Sequence, residues 1–144
     1  MAKIIAVCSS ESKGTPKEDI KEGSLKENYG LEGDAHADCN THRQVSLLAI
    51  ESINKMRAQG FNVKPGDFAE NLTTEGIDLL ALPIGTTLLV GGVTLQLTQK
   101  GKECHSGCAI MRQTGKCIMP KEGMFARVVK GGHVKTGDII VVPE

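Results

Sequence analysis

The sequence predicts a mainly β protein, a compact β-barrel carrying few helices. Three observations point there: short β-branched and aliphatic runs recur between glycine turns, the C-terminal half shows no strand–helix alternation, and closure would hide the edges of so many short strands. At 144 residues the chain suits one domain, 1–144, long enough to enclose a real core. With no Trp, one Tyr and three Phe, that core must be built from Val, Ile, Leu and Met.

The elements follow in order. "KIIAVCSS" reads as a first strand, and residues 11–25 as a polar connection punctuated by Gly14, Pro16 and Gly23. In "VSLLAIESINKMRAQG", Leu47, Ile50, Ile53 and Met56 recur every three residues, which predicts a helix over residues 46–59. Ser46 would cap it, Glu51 and Lys55 would pair along it, and Gly60 would end it in a left-handed conformation. "TTLLVGGVTLQLTQ" predicts a hairpin turning at Gly91-Gly92. "MFARVVKGGHVKTGDIIVVPE" repeats the arrangement, with turns at Gly131-Gly132 and residues 136–138 and a last strand over residues 139–142.

Acidic and basic residues balance at 17 each, so the chain lacks the bulk charge that drives non-specific binding to nucleic acid or to an anionic membrane. The apolar run from Ile4 to Cys8 is too short for a signal peptide or a membrane span, and a cytoplasmic protein is expected. Five unevenly spaced cysteines favour free thiols or ligands over a disulfide framework.

Two regions carry candidate chemistry. "GLEGDAHADCNTHRQ" gathers Asp34, His36, Asp38, Cys39, His42 and Arg43 in ten residues. The histidines with Asp34 or Asp38 can supply metal ligands, although their spacing matches no standard metal motif. A polar surface loop is the plain reading; an anion or cofactor site is the other, with the Arg43 fork of donors at its centre. Further on, Asn71, Thr73 and Thr74 carry short polar groups fit either to line a pocket or to stabilise a turn.

The second region is "GKECHSGCAIMRQTGKC", holding Cys104, Cys108 and Cys117. Its C-x3-C-x8-C spacing departs from the usual zinc knuckle, and adjacent Cys104 and His105 would point apart on extended backbone. A structural zinc site and buried, inert cysteines stay open. The reactive-thiol reading rests on Lys100, Lys102 and His105, whose positive charge beside Cys104 would favour the thiolate.

Taken in order, "GLEGDAH", "HRQVSLL", "GDFAENLTTEGIDL", "LPIGTTLLVGGVTLQLTQ", "GKECHSGC" and "GMFARVVKGGHVKTGDIIVV" resemble the MOSC domain family, known from the C-terminus of molybdenum cofactor sulfurases and as small free-standing proteins. The resemblance implies a MOSC-type β-barrel with a few peripheral helices and an association with molybdenum cofactor (molybdopterin). It implies Cys104 as the characteristic cysteine, carrying sulfur as a persulfide or ligating molybdenum, and His36, Arg43, Asn71, Thr73 and Lys102 as residues of the cofactor cleft. The expected role is cofactor binding or sulfur transfer. The partner would be a separate cysteine desulfurase, since no pyridoxal-phosphate domain is present in the chain, or another protein of molybdenum cofactor biosynthesis or a molybdenum cofactor enzyme. The alternatives are a molybdenum-dependent reductase of N-hydroxylated compounds with separate redox partners, and a non-catalytic zinc-stabilised or partner-binding barrel.

Overall fold

The structure, a computed structural model, describes residues 2–11, 17–35, 37–101 and 123–143. The first strand forms as expected, β1 (Lys3–Ser9), with Ile4 and Val7 buried on one face and Ala6 and Cys8 on the other. The polar connection after it holds two strands, β2 (Glu18–Asp19) and β3 (Glu22–Lys26). A short strand β4 (Gly30–Leu31) follows.

The predicted helix starts late. Val45 to Ala49 form a strand, β5 (Val45–Ala49), and only then does α1 (Ile50–Ala58) begin. Ser46 is therefore a buried strand residue rather than a helix cap, and Ala49 at the N-cap makes no side-chain bond. The reason is pairing on both sides: β5 runs parallel to β6 (Leu72–Glu75) and antiparallel to β9 (Met124–Lys130), so its short apolar run serves as an interior strand. Further along, Ile53 and Met56 do face inward, and Gly60 ends the helix at φ +97°. The Glu51 carboxylate accepts a hydrogen bond from the Gly76 N–H at 3.0 Å, fastening α1 to the end of β6.

The hairpin of β7 (Thr87–Val90) and β8 (Val93–Lys100) is as predicted, with Val90 opposite Val93. Its positive φ falls at Gly91 and not at Gly92, as a type II′ turn requires. The second glycine pair works differently. β9 pairs with β5 and β8, whereas β10 (Gly132–Lys135) leaves for a separate sheet ordered β10-β3-β4. Gly131 is a crossing point: a Cβ there would come within 2.5 Å of the Leu25 carbonyl.

The large sheet has eight strands in the order β11-β7-β8-β9-β5-β6-β1-β2, with β11 spanning Ile140–Val141. It is a curled sheet rather than the expected closed barrel. Its ends meet through one isolated bridge, Lys3 to Ile139, supported by the Ile4 N–H donating to the Asp138 carbonyl at 2.8 Å and Ile140 N–H to Ala2 at 2.9 Å. A two-residue β11 is too short to build a full ladder on both sides.

Inside the curl, Ile4, Val7, Val45, Leu47, Leu72, Leu88, Leu95 and Leu97 pack against Leu25, Leu31 and Val134 of the small sheet. On the outer face, Leu48, Ile53, Met56, Phe68 and Phe125 form a second cluster under α1. Each such buried side chain contributes about 1.5 to 3 kcal/mol relative to exposure. Of the few helices expected, the described residues contain α1 and a single 3-10 turn at Leu79–Ala81.

The tightest backbone approach joins Gly66, at φ +92°, to the carbonyl of Lys17, which a Cβ would strike. Gly137, at φ +96°, has nothing within 4 Å of that position. Gly66→Ala should therefore cost about 3 kcal/mol or more, and Gly137→Ala about 1 to 2 kcal/mol from backbone strain alone. Urea unfolding of the two variants checks this; equal losses would contradict the assigned collision.

Candidate functional site at a polar seam

A transverse row of residues crosses the outer face of the large sheet. Cys8 N–H donates to the Asn71 carbonyl at 2.6 Å, Asn71 N–H to the Ser46 carbonyl at 2.9 Å, Ser46 stands opposite Phe125, and Phe125 opposite Gln99. Five strand ends or starts are thereby aligned. The Asn71 side chain locks the middle of the row: its Oδ1 accepts from the Ser46 N–H (3.0 Å) and hydroxyl (3.2 Å), and its Nδ2 donates to the Cys8 carbonyl (3.1 Å).

One end of this seam holds a fully buried ion pair. Lys17 Nζ lies 2.5 Å from Asp34 Oδ1, and neither side chain is exposed to solvent. Asp34 Oδ1 also accepts from the Ser10 N–H at 3.1 Å. Burial alone would raise the Asp34 carboxyl; the Lys17 hydrogen bond and charge, helped by Ser10 and Asn71, outweigh it and hold the group below its ordinary 3.8. The sequence offered no sign of this pair. A lysine in a polar connection is ordinarily exposed, and Asp34 stood among six chemistry-bearing residues with nothing to separate it from the others.

Beneath the seam lies Glu70, which is fully buried. Its Oε2 accepts from the Gly66 N–H at 3.0 Å and the Thr73 hydroxyl at 2.9 Å, while among the described residues Oε1 has no partner. Burial pushes its carboxyl up to about 7 against these hydrogen bonds. Nearby Cys8 is also buried, and burial followed by the Glu70 charge pushes its thiol well above the ordinary range. Cys8 is thus a protonated, inert thiol. Cys39, by contrast, is exposed.

Of the residues singled out in the sequence, Arg43 is exposed, with its guanidinium carbon 5.9 Å from the centre of the Phe125 ring. Asn71 and Thr73 are 1% and 0% exposed, and their polar groups bond to Ser46, Cys8 and Glu70, so they hold the seam together rather than face an open cleft. His36, Lys102, Cys104, Cys108 and Cys117 lie outside the described residues. The chain leaves for residues 102–122 at Gly101 and returns at Gly123, whose carbonyl accepts the Gly101 N–H at 2.7 Å. Two residues from that clamp stands Phe125 with Arg43 over it, and the Thr98 hydroxyl donates to the His42 carbonyl at 2.8 Å. The seam thus runs from the Lys17–Asp34 pair at one end, through Asn71, to Phe125 with Arg43 over it at the end beside this clamp.

A groove lined by Ala49, Glu51, Ser52, Lys55, Ile77 and Leu80 lies at the other end of β5 and β6. Its wall is largely apolar, and Lys100 Nζ donates to the Leu80 carbonyl at its edge at 2.8 Å. Among the described residues no three His, Cys, Asp or Glu side chains converge as a metal site. None of the helices they form is long and apolar enough to cross a membrane.

A curled, mainly β sheet packed around a second, three-stranded sheet, with one helix on its outer face, is the class of protein that these features define. The chain belongs to the MOSC domain family, whose profile matches residues 34–141. Its fold is similar to that of the YuaD protein from Bacillus subtilis, at 18% identity and a TM-score of 0.76, covering 97% of this chain and 94% of that one. YiiM from Geobacillus stearothermophilus is similar at 19% identity and a TM-score of 0.77, covering 100% and 76%, and YiiM from Escherichia coli at 19% and 0.67, covering 99% and 70%. No curated protein sequence matches the chain. Members of the family are associated with molybdenum cofactor-related proteins.

Two predictions follow from the seam. Glu70 binds its proton more tightly folded than unfolded, so its contribution to stability is complete below its ordinary 4.5 and is lost as pH rises through about 7. Asp34 has the opposite sign: its contribution is present above 3.8 and is lost as pH falls below that value. Unfolding free energy should therefore fall by roughly 3 kcal/mol between pH 4.5 and 8, and Glu70→Gln should flatten that slope. Urea titrations across the range decide it, an unchanged slope in the variant counting against the assignment. Separately, Asn71→Ala leaves Ser46 and Cys8 backbone groups unpaired and should cost about 2 to 4 kcal/mol by the same measurement.

Proposed function

We propose that this protein binds molybdenum cofactor and handles sulfur through Cys104. The reading is carried by membership of the MOSC domain family together with the position of Arg43, an exposed guanidinium beside the clamp from which residues 102–122 depart. Arg43 fits the phosphate of a pterin as a planar donor, and its stacking on Phe125 limits the freedom it must lose on binding. Among the described residues Arg43 fits the anionic part of the cofactor, and on this reading Cys104 would supply a metal ligand. His36 and Lys102 complete the proposed set, while Asn71 and Thr73 support it from below.

When bound, the cofactor supplies a soft metal centre that takes sulfur ligands. The chain's own step is thiol chemistry. The Cys104 thiolate attacks the terminal sulfur of a persulfide carried by a separate cysteine desulfurase; an S–S bond forms on Cys104 as the donor's S–S bond breaks and its thiolate leaves, with no external oxidant consumed. Lys102 and His105 beside it in sequence favour the attacking anion. An acceptor thiolate then attacks the outer sulfur of the Cys104 persulfide, a new S–S bond forms on the acceptor, and the Cys104 thiolate leaves.

Cys104 should alkylate faster near neutral pH than the buried Cys8, and Cys104→Ser should abolish persulfide formation without changing the thermal midpoint. Mass-spectrometric mapping of alkylated and persulfidated cysteines reads both. Arg43→Ala should weaken binding of a pterin monophosphate by about 1.5 to 3 kcal/mol, measured by titration calorimetry. Slow alkylation at Cys104 with one equivalent of zinc in the purified protein would select a structural zinc site instead.

A further inference from the structure

Lys17 and Asp34 stabilise each other in the interior, where either charge left alone would be costly, yet the pair as a whole is replaceable. A fully buried ion pair surrenders two hydration shells, and its attraction only roughly offsets that loss, so apolar residues of similar volume serve equally well in many proteins. What an apolar pair cannot supply is direction. Lys17 is held on three sides: its backbone N–H donates to the Gly66 carbonyl at 2.6 Å, its own carbonyl lies against Gly66, and its ammonium points at Asp34 Oδ1 with Ser10 Oγ at 3.4 Å. Gly66 is in turn fixed by Glu70 from below. The ammonium is therefore a fixed point in the fold, and Asp34 is attached to it.

Asp34 begins the segment that runs on to Arg43. From it, Ala35 N–H donates to the Ser10 carbonyl at 2.8 Å, Ala37 N–H to Asp34 at 3.2 Å and Asp38 N–H to Tyr29 at 2.9 Å. The far end is anchored independently by Gln44, whose Oε1 accepts from Val128 N–H at 3.0 Å and whose Nε2 donates to Asn28 and to the Thr41 carbonyl. Between these two anchors the chain presents Arg43 over Phe125. Removing the Asp34 anchor would free the near part of this span and so the approach to Arg43, while Thr98 and Gln44 still hold its far end.

We propose that Lys17 is a positioning residue: its buried ammonium fixes Asp34, and through it the path of the segment that presents Arg43 to an anionic ligand, without touching that ligand itself. The proposal rests on the reading of Arg43 as the phosphate contact. It makes binding at the seam depend on a charge pair whose joint replacement by apolar residues stability measurements alone would not reveal.

The test uses the full chain, with Lys17→Met and Asp34→Leu combined to replace the pair by apolar side chains. The double variant should keep a thermal midpoint close to that of the native protein. Its amides over residues 37–43 should exchange hydrogen faster while those of β5 and β9 keep their protection. Affinity for a pterin monophosphate should fall about tenfold or more, the scale of a misplaced charged hydrogen bond. Unchanged exchange over residues 37–43, or faster exchange with native affinity, would overturn the proposal. Should the double variant not fold, Lys17→Gln combined with Asp34→Asn takes its place, keeping similar shape and the acceptor for Ser10 while deleting both charges; the same two readouts then decide in the same way. If the native protein itself fails to bind the pterin monophosphate, the functional reading fails, while the exchange data still decide whether Lys17 fixes the segment.

Discussion

The side chain of Asn71 is the constraint on which the rest of the structure depends. Where β1, β5 and β6 are drawn together, backbone groups are buried away from water and must be paired. The Asn71 carboxamide pairs them, accepting from Ser46 and donating to Cys8 across two neighbouring strands. An asparagine suits this position because it carries a donor and an acceptor on one short, planar group. Without it, two interior strands would end in unsatisfied groups in a layer that also holds Leu48 and Phe125.

The polar residues of this layer form a connected system. Asn71 adjoins Asp34, Asp34 is held by Lys17, Lys17 is seated on Gly66, and Gly66 is bonded to Glu70. Every link is buried, so each is strengthened by low local polarisability and each is costly to leave unmade. Glu70 stands apart because one of its oxygens has no partner among the described residues, which favours its neutral form. The network therefore combines a carboxylate held ionised and a carboxyl that keeps its proton up to about pH 7. Their opposite responses to pH arise from one cause each: a cation beside Asp34 and burial around Glu70.

Two thiols illustrate how environment assigns chemistry to identical side chains. Cys8 is enclosed between β1 and the Gly66 turn near a carboxyl, conditions that suppress the thiolate. For Cys104 the sequence alone speaks: Lys102 and His105 stand beside it in the chain, and a thiolate is proposed there on that ground. Composition would count both as equivalent. Arg43 is exposed, with its guanidinium over the Phe125 ring near the Gly101–Gly123 clamp, and is the cation proposed above for an anionic ligand.

The sequence alone determined the mainly β character, the first strand, the Gly91-Gly92 hairpin and the family. Each of these depends on local patterning or on residues close together in the chain. It misread Val45 to Ala49 as helix because a short apolar run carries no period of its own, and only pairing with β6 and β9 makes it a strand. It took Gly131-Gly132 for a second hairpin, whereas β10 finds its partner in β3, more than a hundred residues earlier in the chain. Closure into a barrel was likewise a tertiary matter, limited by the two residues that β11 can offer. In the site, exposed Arg43 was legible from its residue type, but Asn71 and Thr73 were legible only as polar. Whether such groups line a cleft or lock a seam depends on what covers them, and burial is set by the packing of Phe68, Leu48 and α1 rather than by neighbours in sequence. Lys17 is the limiting case. Nothing adjacent to it in the chain marks it as buried, because the charge that makes its burial possible stands 17 residues away at Asp34 and meets it only once the sheet has curled.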